Sequence, residues 1–293
     1  MKRKMIVALI SMLVLGATAR GEDAAPAQEV AKSLQQLSTE VQALLTKEKI
    51  HSLFDQYRKL SDFGVTYQPS LAALNDLVPE MDNERLRLYA GMKLFDAIYA
   101  VTFMKKQEVA DCVKTLEEIQ TALDLRSYAD LNNRCLETLK RAATDPEALD
   151  VKQLIDQLTD DYVSEVPALM SSQESADYLI DGFYGFVTEM SYVMSGLLRS
   201  DASGRIEEGL DQLEGPNNRR MILDLFVAFD REDEQMEVSG MTVEKLAVIR
   251  QGCYLAEAEM SGKLSDEDAQ QERMAMSTQV AFIRSGILMT EVE

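Results

Sequence analysis

Residues 88–101 read Leu-Tyr-Ala-Gly-Met-Lys-Leu-Phe-Asp-Ala-Ile-Tyr-Ala-Val, and this stretch decides the fold. Wound as a helix, it is apolar around most of its circumference, with Lys93 and Asp96 as the charged exceptions. A helix of that kind belongs in the middle of a bundle rather than on its surface. Asp82 stands where an N-cap is expected, so the spacing predicts a helix over 83–104.

The same periodicity extends outward in both directions. Upstream, Val30, Leu34, Leu37, Val41 and Leu44 make one apolar stripe, and Ile50, Leu53, Tyr57 and Leu60 make a second after a loss of phase. A short segment from Tyr67 ends before Pro79. Downstream, helices are expected over 107–124 and 128–142, the latter opened by Ser127 and Asp130. Asp145-Pro146-Glu147 starts another that runs to about Val163, with Pro167 marking a break. Ser171 and Glu174 form a capping box for a long helix over 173–198. That helix mixes Tyr178, Phe183, Tyr184, Phe186 and Tyr192 with Gly182, Gly185 and Gly196, a composition that points to close packing at a central position. Met221 to Phe229, a helix capped by Thr242, and a last helix opened by Ser265 and the acids 266–268 complete the series. No alternating-polarity run or hairpin dipeptide interrupts it, so the fold class is all-α, a multi-helix bundle around two central apolar helices.

The N-terminus carries a different signal. Lys2, Arg3 and Lys4 precede an apolar run over 5–15, and Ala17-Thr18-Ala19 supplies a small-residue cleavage site. That order predicts a signal peptide over 1–19, a flexible lead over 20–27, and a single helical domain over 28–293 that is periplasmic or secreted. About eleven apolar residues are too few for a permanent membrane span, so no stable membrane anchor is expected.

Gly91 is followed by Phe95 and Tyr99, and Gly182 by Phe186 and Tyr192, a pattern that raises the idea of two related halves over 48–143 and 145–286. The succession Phe63-Gly64, Tyr67 and the run from Tyr89 to Tyr99 resembles a layout in uncharacterised exported all-helical bacterial proteins. The resemblance covers roughly a third of the chain; it implies a helical fold and no activity.

Charge and motif content narrow the chemistry. The formal charge is −20, and cleavage of the leader makes the mature chain more acidic still. Such a surface repels nucleic-acid phosphates and anionic headgroups. His51 is the one histidine; Glu48-Lys49-Ile50-His51 is a single Glu-x-x-His with no second copy, and no zinc-protease motif is present. Phosphate loops and the nucleophile elbow are missing, and the acidic runs 230–234 and 265–268 lack calcium-loop spacing. Met274-Ala-Met276 is too sparse for a copper(I) thioether cluster. No catalytic group, metal or cofactor is therefore assigned. Cys112 and Cys135 fall on consecutive helices at heights about 6 Å apart, near the limit of disulfide reach, which makes them a candidate pair and leaves bridged and unbridged forms open; Cys253 is left over.

Asp96 and Glu189 stand out, each a carboxylate embedded in an apolar helix, where it needs a partner or a proton. One reading pairs Asp96 with Lys93. A sharper one makes Asp96 and Glu189 the polar spots of a pocket lined by Tyr99, Phe103, Tyr184 and Tyr192. Three functions follow in order: a non-enzymatic interaction or structural protein of the cell envelope that meets a protein partner, a binder of an apolar small molecule between the central helices, and a carboxylate-based hydrolase.

Overall fold

A computed structural model describes residues 65–124, 129–144, 151–169, 172–200 and 266–288, together with Gln35, Thr39 and Ala43. Six helices fill this range: α1 (Asn83–Thr102), α2 (Lys106–Ala122), α3 (Ala129–Thr144), α4 (Val151–Leu169), α5 (Gln173–Ser200) and α6 (Asp266–Leu288). No strand occurs among the described residues, and the all-α bundle read from the sequence is the observed fold. The expected segments around His51, Cys253, 221–229 and 242–260, and the leader over 1–19, lie outside the described residues.

α1 begins where the sequence places it. Asp82 is extended (ψ 174°) and its carboxylate accepts the Arg85 N–H at 2.9 Å, a side-chain cap for one of the unpaired donors at the helix start. From Leu88 to Thr102 every residue but Leu94 is buried. The helix ends two residues earlier than expected, because Met104 takes a left-handed conformation (φ 55°). The Met104 N–H bonds to the Val101 carbonyl and the Lys105 N–H to that of Ala100, the reversal that closes helix ends and here turns the chain into α2.

α2 packs against α1 and α3, α3 against α4, and α6 against α5 and α1. The dominant interface is the crossing of α1 with α5. It is made at backbone distance: a Cβ at Gly91 would overlap the Gly182 carbonyl, and one at Gly185 would overlap that of Leu88. Glycine is required here by approach, not by backbone angle. Phe95 and Phe186 then meet edge to face across the crossing, with centroids 5.4 Å apart. The two Gly–aromatic stretches noted in the sequence are thus opposed faces of one contact.

Two local expectations are corrected. Pro167 does not follow α4 but lies inside its last turn. A proline there forfeits a single backbone bond with only two residues of helix left to disturb. The cap of α5 is Ser172, whose Oγ accepts the Ser175 N–H at 3.2 Å, so the capping residue sits one position later than Ser171.

Replacing Gly91 or Gly185 with alanine forces the two central helices apart. Each is expected to cost about 3 kcal/mol or more in urea unfolding at neutral pH, at the upper end of overpacking effects. Gly182→Ala is expected to be milder, because the nearest atom to its added Cβ is the Arg87 carbonyl oxygen at 3.9 Å.

Candidate functional site

Between α1, α5 and α6 runs a non-helical strap, residues 65–82, with single 3-10 turns at Pro69–Leu71 and Val78–Glu80. Leu71 and Ala73 are buried, and Leu71 lies on Gly196 of α5. Buried irregular backbone carries donors and acceptors that no helix satisfies. The charged side chains of the core satisfy them.

Lys93 and Asp96 are both buried and pair at 2.9 Å, as the first reading of Asp96 expects. Lys93 Nζ also donates to the Ala73 carbonyl at 2.8 Å, while the Ala73 N–H donates to Asp96 Oδ2 at 3.0 Å. The ion pair therefore grips both backbone groups of one strap residue. Around it, the Gln68 N–H donates to Tyr99 Oη at 3.0 Å, Tyr89 Oη donates to the Leu74 carbonyl, and Thr115 Oγ1 to that of Asn75 at 3.3 Å.

Glu189, wholly buried on α5, is held by Arg284 of α6 in a fork: Nε to Oε2 at 2.6 Å and a terminal nitrogen to Oε1 at 2.8 Å. Two parallel charge-assisted bonds of this kind are the strong form of the pair. The same guanidinium donates to the Leu71 carbonyl at 3.0 Å and lies 4.1 Å from the Tyr192 ring centroid. Burial pushes Glu189 up to about 8, helped by the charge of Asp96 and opposed by Arg284. Burial likewise raises Asp96, against Lys93, the Ala73 N–H and Arg284. A separate buried carboxylate, Asp181, meets Arg87 at 2.7 Å and is raised by burial to about 7.

Of the residues singled out in the sequence, Asp96, Glu189 and Tyr192 come together through Lys93 and Arg284. Tyr99 and Phe103 join Tyr67 and Phe95 in an aromatic cluster beside them, with centroid spacings of 4.8–6.3 Å. Tyr184 is buried in the common core of the bundle. Arg284, Asp181 and the strap backbone had not been named. Of the two forms left open for the candidate pair, the structure has the unbridged one: Cys112 and Cys135 are two buried thiols. Heights along a hairpin do not fix which way each side chain turns. The Cys112 thiol lies within the field of Lys93 and Asp96 on α1, and burial raises it to about 12.

No group of three or more metal-ligating side chains occurs among the described residues. Comparison with protein families, curated proteins and solved structures finds no match to this chain.

Because each cation neutralises a buried carboxylate, Lys93→Met and Arg284→Met are each expected to destabilise by about 3–5 kcal/mol. The double change Glu189→Leu with Arg284→Met is expected to cost less than Arg284→Met alone, since no unpaired charge remains. Denaturant midpoints of the four proteins check this.

Proposed function

We propose that the chain is an exported, non-enzymatic interaction or structural protein of the cell envelope. The observation that supports this reading is the use to which the interior carboxylates are put. Asp96 and Glu189, the best candidates for acid–base work, are wholly buried and bound to Lys93, Arg284 and the strap backbone. A general acid or base must reach a substrate proton; these two instead hold the fold together. That leaves the surface to carry function. The sequence makes that surface strongly acidic, and α6 adds the exposed apolar side chains Met274 and Phe282. No helix among the described residues is long and apolar enough to cross a membrane. The export part of the reading rests on the charge, apolar run and Ala17-Thr18-Ala19 of the leader.

The protein recovered from its own envelope is expected to begin at Arg20 and to appear in native mass spectrometry as bare polypeptide. It is also expected to cross-link to an envelope protein in a salt-sensitive manner. An apolar molecule that survives desolvation and leaves on denaturation would favour the ligand binder instead. Turnover of any substrate that is lost in Glu189→Gln would establish the hydrolase.

A further inference from the structure

The strap is held most firmly over residues 73–75. The Ala73 carbonyl accepts from Lys93 Nζ, that of Leu74 from Tyr89 Oη and that of Asn75 from Thr115 Oγ1, while the Ala73 N–H donates to Asp96. All four holding side chains are buried, and the buried Leu71 and Val78 pin the strap on either side. In the middle of this clamped run the Leu74 side chain is 69% exposed. A lone exposed leucine is ordinary. One whose own carbonyl and both neighbours are held by buried groups is not, because it has little freedom left to lose when something binds it.

We propose that Leu74 is a preformed anchor for a protein partner, entering an apolar pocket on that partner whose rim carries lysine and arginine. This rests on the reading of the chain as an interaction protein and names the element that makes the contact. The backbone settles the mode of docking. All three carbonyls of residues 73–75 are turned to donors in the core, so the strap cannot pair with a partner's strand edge, which takes main-chain hydrogen bonds. What it offers is a side chain, and an apolar side chain fixed in place calls for a pocket.

The charge around the anchor settles the rim. Residues 65–82 contain Asp76, Glu80 and Asp82 and no lysine or arginine, and Asp76 and Asp82 are exposed. Acids beside an apolar anchor favour a basic rim and work against a second copy of the same acidic chain. The clamp also gives a buried residue a say in binding. Tyr89 is wholly buried and meets no partner, yet its hydroxyl holds the Leu74 carbonyl. Removing that hydroxyl loosens the anchor and leaves the exposed surface unchanged, which makes Tyr89 a positioning residue.

The full chain, made in its own cells with p-benzoylphenylalanine in place of Leu74, is expected to cross-link on irradiation to a discrete protein. A chain with the same probe in place of Phe282 serves as comparison. The captured protein is then purified and titrated with unlabelled variants. Leu74→Ala is expected to lower affinity about 30-fold or more, the loss of a central anchor. Asp76→Asn with Asp82→Asn is expected to slow association and flatten its salt dependence, with dissociation little changed. Tyr89→Phe is expected to lower affinity about tenfold, with circular dichroism showing the fold retained. Unchanged affinity in Leu74→Ala, or in folded Tyr89→Phe, overturns the proposal. A partner captured from position 282 but not from position 74 overturns the anchor and leaves the interaction reading standing. No cross-link from either position overturns both.

Discussion

The approach of α1 to α5 at backbone distance is the constraint on which the rest depends. With Gly91 against the Gly182 carbonyl and Gly185 against that of Leu88, two largely apolar helices touch along their main chains. Any polar side chain a turn or two further along either helix is then trapped in the same small volume. Asp96 and Glu189 are in that position, five residues beyond Gly91 and four beyond Gly185. Their burial follows from the glycines; their need for Lys93 and Arg284 follows from their burial.

The strap is the other half of that logic. A bundle has no intrinsic use for an irregular chain in its interior, since such a chain brings unpaired amides with it. Here the amides of residues 68–75 and the charges of the helices satisfy one another. Ala73 closes a three-way circuit with Lys93 and Asp96, and Leu71 shares Arg284 with Glu189. Replacing all of these groups by apolar ones would leave the strap without partners, so the polar centre specifies where the strap runs.

Much of this was legible in the sequence, and the remainder was not for identifiable reasons. α1 was read from the apolar circumference of 88–101 and from Asp82, both local signals, and the boundaries of α2, α3 and α5 and the start of α6 fall within two residues of expectation. Asp96 and Glu189 were found because a carboxylate in an apolar helix is an anomaly within a few residues of context. Arg284 was missed because an arginine on an amphipathic helix looks like a solvent-facing charge; the available sign was its place among Val280, Ile283 and Ile287. The Ala73 and Leu71 contacts reach across 20 or more residues and carry no side-chain pattern at all. Whether Cys112 and Cys135 bridge was left open by the sequence, because heights along a hairpin leave rotation about the helix axes undetermined.

The bond from Arg284 to the Leu71 carbonyl spans 213 positions of the chain. Its length in sequence sets an order of events. The groups of the glycine crossing and of the Lys93–Ala73–Asp96 circuit are all present once α5 is made, whereas Glu189 waits for a cation that comes 95 residues later. Closing so long a loop is an entropic step that later contacts must repay. A chain growing from its N-terminus therefore passes through a form with the central helices already crossed and one interior carboxylate still lacking its arginine. Arrival of α6 supplies that arginine to Glu189 and to the Leu71 carbonyl together.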